Sequence, residues 1–426
     1  MQRTQFLNIF VLVVILLMGF GLIVPIMPFF AAQYGANELM VGLIVATYAA
    51  GQFLGAPLVG RLSDRMGRRP MLALTMAGTV LSFLLLGLAE ILGKQYLLAF
   101  PAESAAENTQ HLNAVVLGVT FFTRLLGGLS GGSITVAQAY IADITDETNR
   151  TRGMGLIGAA FGLGFILGPL LGGVLSKWGF EVPAFAAAGL AALSLVNILL
   201  RLPESLTEEK KAELALNKKQ PLISFPAMAR QIGQPRIGPL LIIRMISSIA
   251  GALFMTLFTL WGKIHLGLDS QVASYVMAYT GVLSIITQMW LIQPLTRRYS
   301  NALLLTVSIL IRAAALLGWA VTPTLAFFIV ILIPHSLATG VLNTVITTAV
   351  SWAVPPQEMG DALGTASALE SLSRVIAPTV GGWLLGSVGA WGPGVLGFVL
   401  MGVLGVYTWN KLLAHPELPL AQTAAR

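Results

Sequence analysis

The sequence predicts an all-α membrane protein, with twelve transmembrane helices in two pseudo-symmetric halves of six. Three observations lead there. Of the 426 residues, 56% are apolar and only 10% charged, where a soluble domain carries about a quarter charged residues. An aqueous protein of this size has a polar exterior to build, so the solvent around this one is lipid. The apolar residues also fall in a dozen runs of about 20, the length that crosses a bilayer. Finally, the basic residues collect in alternate loops.

The first run follows a start, Met1 to Phe10, that carries one basic residue and no small-residue cleavage site, with Pro25 and Pro28 beyond it. It reads as a retained helix and not as a secretory signal. Spans one to six are expected at 6–33, 40–60, 71–90, 113–141, 153–175 and 182–201. Spans seven to twelve are expected at 238–262, 272–295, 302–321, 324–351, 361–385 and 391–413. The polar break at 202–237, rich in Lys and Glu with Pro221, Pro226 and Pro235, reads as a linker in which Leu206–Leu216 forms a surface helix. The expected domains are therefore 1–201, the linker 202–237, and 238–426.

Orientation follows from the preference of Lys and Arg for cytoplasmic loops. With both termini inside, eighteen basic residues lie in cytoplasmic segments or at the cytoplasmic ends of spans, among them Arg61, Arg65, Arg68, Arg69, Arg150, Arg152, Lys210, Lys211, Lys218, Lys219, Arg297 and Arg298. Three, Lys94, Lys177 and Lys263, lie in outer loops, and the other four lie inside spans. The expectation is a multi-pass protein of the cell (inner) membrane. Nucleic acid drops out as a partner, because the net charge of +7 is explained by anchoring against an anionic inner leaflet. The chain has no cysteine, and His111, His265, His335 and His415 show no paired spacing. Neither a disulfide framework nor a metal site is expected, nor any cofactor.

The halves resemble each other weakly. A shift of 211 places Arg124 on His335 and Glu147 on Glu358, and one of 209 places Gly168-Pro169 and Gly172-Gly173 on Ala377-Pro378 and Gly381-Gly382. A shift of 233 lays Leu62-Ser63-Asp64-Arg65 over Leu295-Thr296-Arg297-Arg298. Their consistent order supports two six-helix repeats, with transport sites near the midplane.

Between spans two and three runs Gly60-Arg61-Leu62-Ser63-Asp64-Arg65-Met66-Gly67-Arg68-Arg69-Pro70. Its glycines permit a tight turn, and one acid among four arginines suits a latch; a solvated turn obeying the positive-inside rule is the plainer reading. Span four carries Arg124-Leu125-Leu126-Gly127-Gly128 and then Gly131-Gly132. A buried arginine keeps its proton and needs an acid, carbonyls or water. Span five holds Gly158, Gly162, Gly164, Gly168-Pro169 and Gly172-Gly173, a pattern that close helix packing explains by itself.

As strings, these motifs resemble the major facilitator superfamily. Residues 60–70 resemble its signature loop, and Gly19-Phe20-Gly21-Leu22-Ile23-Val24-Pro25-Ile26-Met27-Pro28 resembles the first-helix motif of its drug/proton antiporters. The Arg124 run resembles its fourth-helix motif, whose arginine assists proton transfer. Gly164-x-x-x-Gly168-Pro169-x-x-Gly172-Gly173 resembles its fifth-helix antiporter motif. The nearest resemblance is to the tetracycline-efflux-like branch of the twelve-helix drug/proton antiporters. It is carried by Tyr48-Ala49-Ala50-Gly51-Gln52-Phe53, Ala139-Tyr140-Ile141-Ala142-Asp143-Ile144-Thr145, Phe161-Gly162-x-Gly164 and Leu202-Pro203-Glu204-Ser205, and it covers 19–205. It implies the major facilitator fold and proton-coupled efflux of a small amphipathic molecule or drug by alternating access. It also implies a cytoplasmic latch of Gly60, Asp64, Arg65, Gly67, Arg68 and Arg69 with Asp143, in which Asp64 faces the start of span eleven. The acids that tetracycline pumps carry in helices one and three are Leu16 and Ser82 here, so tetracycline as cargo is not implied.

Inside the spans stand Arg124, Arg244, Arg312 and Arg374 against one acid, Glu370. Arg244 lies near the start of span seven, from which a long side chain snorkels to the surface. Glu370 and Arg374 are four apart and share a helix face, either as a self-neutralising pair or with Glu370 as the proton-binding group. His335, after Pro334, is the other titratable candidate, so the expected proton-coupling residues are Glu370, Arg374, Arg124 and His335. The expected substrate cavity comprises Tyr48, Gln52, Arg124, Gln138, Phe161, Phe254, Gln288, Trp290, Arg312 and Asn343, with Phe83 as further stacking surface. The arginines favour an anionic or amphipathic substrate, while the span-five pattern favours antiport; at Glu370 the two pull in opposite directions. A lipid or lipid-precursor flippase, an organic-anion transporter and a non-transporting receptor remain as alternatives. No enzyme is expected, for want of a Ser/His/Asp set or a nucleotide loop. The expected partners are the substrate, protons and membrane lipid, with the chain a monomer.

Overall fold

The computed structural model describes residues 2–145, 147–207, 209, 211, 225–354 and 359–413, with the side chains of 2–5, 147–156, 225, 227, 359–361 and 412–413 outside that description. Most of the expected surface helix at Leu206–Leu216, and much of the linker, therefore lie outside the described residues.

Among the described residues, eleven spans are long and apolar enough to cross a membrane. The twelfth long helix, Met359–Ser387, is span eleven; it falls short in apolarity because Glu370, Arg374 and several hydroxyl residues interrupt it. Several spans have 29 residues, as in Glu38–Met66 and Gly238–Leu266. At about 1.5 Å per residue they exceed a core of about 30 Å, and such helices tilt or project.

The breaks have local causes. Span one runs Gln2–Ile23, stops, and resumes at Met27–Gln33 with Pro28 in its first turn, where a missing N–H does no harm. Span four divides into Ala105–Ser130 and Ser133–Ile144 at Gly131-Gly132. Span eight divides into Ser270–Ile286 and Ile292–Arg298 around a π turn at Thr287–Leu291, a rare geometry often found at functional positions.

The chain forms two compact units, Met1–Ile223 with Asp269–Ala278, and Ser224–Leu268 with Tyr279–Arg426. In unit 1, span one packs on spans five and six, span two on span four, and span three on spans four and six. Its core joins Ile9, Leu12, Val13 and Leu17 of span one to Leu72, Met76, Tyr140 and Ile141. Small residues set the closest approaches. A Cβ on Gly168 would stand 2.7 Å from Gly21 Cα, and one on Gly172 would stand 2.5 Å from the Leu22 carbonyl oxygen. Gly164 faces Leu17, and Gly173 faces Ser274 on the opening turns of span eight. Spans two and four meet the same way, Gly51 against Leu125 O and Gly132 against Val59. In unit 2, span nine (Asn301–Ala320) packs on spans ten (Leu325–Trp352) and twelve (Gly392–Thr408), and span seven packs on spans eleven and twelve.

Candidate functional site

In unit 1 the interior charge is Arg124, on the first helix of span four and only 5% exposed. Its guanidinium lies over the rings of Tyr48 and Phe83, at 5.7 Å and 6.0 Å from their centroids. Such contacts stabilise a desolvated cation by about 2 kcal/mol, less than the several kcal/mol that burying an ion costs. Nε and Nη2 of Arg124 have no hydrogen-bond acceptor. Ser82 of span three donates to the Thr123 carbonyl at 2.8 Å. Phe20 extends the aromatic wall, 5.3 Å from Tyr48 and 6.2 Å from Phe165, which stacks on Phe161. Of the expected cavity residues, Tyr48, Gln52, Gln138 and Phe161 are half-buried. Tyr48 and Phe161 belong to this cluster.

In unit 2 the charges pair. Glu370 is held by Arg244 of span seven through one carboxylate oxygen and by Arg374 of its own helix through the other. Arg244 Nη1 also donates to Asn343 Oδ1 of span ten at 3.4 Å. The surface snorkel expected of Arg244 therefore gives way to an inward contact. Sequence spacing foresaw the Arg374 contact but not this one, because Arg244 and Glu370 are 126 positions apart. Ser373 Oγ ties the same turn to span seven by donating to Met245 O at 3.2 Å.

Arg312 is 2% and His335 6% exposed. They lie in the core of unit 2 beside Gly251 and Phe254, the His335 and Phe254 rings 4.2 Å apart. Phe254 continues into a packed set with Phe258, Trp319 and Phe328. These expected site residues are thus core residues in this structure, while Gln288 and Trp290 sit exposed on the π turn.

At one end of unit 1 the 60–70 turn forms an ionic network. Arg68 reaches Asp64 at 2.6 Å, Asp143 at 3.0 Å and Ser63 Oγ at 2.6 Å. Of the residues expected in the latch, Asp64 and Asp143 meet at Arg68. The start of span eleven, expected opposite Asp64, has its side chains outside the described residues. Sequence reading missed Glu204 as a member. Its carboxylate accepts from the first two backbone N–H groups of the span-three helix, which runs Arg68–Gly87, Arg68 at 2.9 Å and Arg69 at 3.2 Å, the ready anion site of a helix N-terminus. Gly67, at φ +104°, is the hinge, and a Cβ there would collide with that carboxylate. Ser205 Oγ donates to Asp143 at 3.2 Å.

Elsewhere in unit 1, Glu90 accepts from Tyr34 Oη and from Lys94 Nζ, both at 2.7 Å. The Lys94 hydrogen bond and then the Tyr34 hydrogen bond hold the Glu90 carboxyl below its ordinary range. Burial first, and Glu90 second, push the Tyr34 hydroxyl up.

Long apolar helices in two units, with charged and aromatic groups within them, define a polytopic membrane protein. The chain belongs to the Major Facilitator Superfamily, whose sequence profile matches residues 9–333 and 240–424. It is similar to rat "Solute carrier family 22 member 18", 28% identical over 394 residues, 92% of this chain and 90% of that protein. It is likewise similar to "Tetracycline resistance protein, class C" of Escherichia coli, 28% identical over 367 residues and 85% of each chain. The crystal structure of the human organic anion transporter MFSD10 (TETRAN) shares its fold, with a TM-score of 0.63 and 22% identity over 95% of this chain and 99% of that one.

Proposed function

We propose that the chain is a proton-coupled secondary transporter that moves a small amphipathic molecule by alternating access, with Glu370 as the group that takes the proton. The observation that carries this is the placing of Glu370 between guanidiniums from two helices. A proton there cancels the charge that holds span seven to span eleven, so proton binding and helix arrangement are linked. In unit 1, the unpaired N–H groups of Arg124 beside Tyr48 and Phe83 suit the polar end of an amphipathic molecule. Export in exchange for protons is the direction favoured by the span-five pattern, and the Escherichia coli relative is named for resistance. In reconstituted vesicles, Glu370→Gln should abolish the substrate-driven change in lumen pH while exchange between substrate pools persists. A wild-type pH change in the mutant would overturn the assignment.

Co-transport of a proton with an anionic cargo is the second reading. It is favoured by the arginine clamp, because protonating Glu370 uncovers two guanidiniums. The sign of the lumen pH change on substrate addition separates the two directions. Both termini and 202–237 are cytoplasmic in either case, on the distribution of basic residues; labelling of Ser224→Cys from outside intact cells would refute this. The Arg68 network is then an inner-side latch. Asp64→Asn should impair turnover in a folded, inserted protein, and full exchange activity would remove the latch.

A further inference from the structure

We propose that Arg244 and Arg374, with Asn343, form a binding site for the carboxylate, sulfonate or phosphate group of an anionic cargo, and that Glu370 is its built-in occupant. The inference deepens the second, co-transport reading and rests on Glu370 being a group that takes a proton. Glu370 gives one oxygen to each arginine, as an incoming oxyanion would when bridging two guanidiniums. The site also has donor capacity that Glu370 leaves unused, for Arg244 Nε is buried without an acceptor. A third oxygen of a sulfonate or phosphate, or a shifted carboxylate, would satisfy it.

Access and solvent favour the same reading. The Arg374 side chain is 48% exposed, against 16% for Arg244, so one wall of the site is open. At about 100° per residue, Glu370 and Arg374 lie on one face of span eleven, while the exposed apolar residues Ile376 and Trp383 lie towards the opposite one. The apolar face suits lipid, and charged groups inside a membrane face water or other protein groups.

Two arginines facing each other need an anion. Either Glu370 supplies it, or the cargo does while Glu370 accepts a proton. Spans seven, ten and twelve and the short helix Phe225–Ile232 pack against span eleven. The charged groups that act on Glu370 are Arg374 of its own helix and Arg244 of span seven. Span ten contributes Asn343, which is neutral. Acidification should therefore strengthen anion binding, by removing the resident competitor. Proton and anion load together at this site, so an anionic cargo bound here travels with its proton.

The test uses purified full-length protein, with benzoate and benzenesulfonate as probes and benzamide and benzylamine as neutral and cationic controls. Thermal stabilisation gives the apparent affinity between pH 5 and 8. The two anions should stabilise the wild type, more strongly at pH 5, and the controls should not. Glu370→Gln should bind the anions about tenfold more tightly at pH 7.5, as expected when a competing occupant is removed, and without pH dependence. Arg374→Gln should lose the effect, and Arg374→Lys, which keeps the charge but not the fork, should retain part of it. No anion-specific stabilisation, unchanged affinity in Glu370→Gln, or wild-type binding in Arg374→Gln would each overturn the proposal. Because binding is read without transport, the outcomes separate. A Glu370→Gln protein that loses proton coupling but binds anions like wild type refutes this site alone. One that gains anion affinity yet keeps proton coupling refutes the transport assignment of Glu370 and leaves the anion site standing.

Discussion

Unit 1 and unit 2 both place arginine within their spans and leave it in opposite states. Arg124 has aromatic rings for company and two nitrogens without acceptors. Arg244 and Arg374 share a carboxylate. The first arrangement leaves a desolvated charge without a counter-ion, which lowers stability. The second is self-satisfied until a proton or a competing anion arrives. The comparison teaches that residue type alone does not fix an intramembrane arginine's role; the supply of acceptors does.

The comparison breaks most sharply at Arg124. Arg124→Leu should reduce transport on the order of a hundredfold, the loss of about 2–5 kcal/mol expected when a buried charged contact to a ligand is truncated. It should also raise thermal stability, because an uncompensated buried ion disappears. A transport assay and a melt on the same preparation check both signs, and a destabilised mutant would show that Arg124 is already satisfied in the fold. Glu370→Ala should do the reverse and lower stability, leaving two guanidiniums opposed. The loss should stay below the roughly 3–5 kcal/mol of a fully buried pair, since Arg374 is half exposed. Stability equal to wild type would mean that the clamp is solvated already.

A smaller effect is expected where unit 1 does satisfy its charges. Glu204→Gln should cost about 1 kcal/mol, as for other losses of a helix cap, read as a lowered melting temperature. An unchanged melt would leave the cap without energetic weight.

The smallest effect concerns Glu90. Its carboxyl is held below its ordinary value, so its contribution is present above the unfolded carboxylate pKa of about 4.3. That contribution is lost as pH falls through the lower folded value. Melts of wild type and Glu90→Gln should differ slightly at pH 7 and converge on acidification. A difference that survives at pH 3 would assign it to packing. The Lys94 partner is mostly exposed, which keeps the effect to tenths of a kcal/mol.

The spans were legible because about 20 consecutive apolar residues admit little besides a membrane helix. Span eleven, the least apolar, was still visible, since its two charges are four apart and leave the rest of the run intact. That arginines of the 60–70 turn reach Asp143 was implied by motif resemblance, without singling out Arg68, and the pairing of Glu370 with Arg374 followed from helical spacing. The Glu204 cap and the Arg244–Glu370 contact were not legible, as each joins residues more than a hundred positions apart. Phe254, Arg312 and His335 have the composition of a site, yet the packing of spans seven, nine and ten buries them in a core.

By itself, the sequence determined the class of solvent, the number of spans, the close-packing glycines and the excess of buried cation, because hydropathy, steric size and charge are properties of each residue wherever it sits. The tertiary structure alone decided which arginines are neutralised and which are left with unmet donors. That depends on distances between helices, and a few ångströms separate a shared carboxylate from an open anion site.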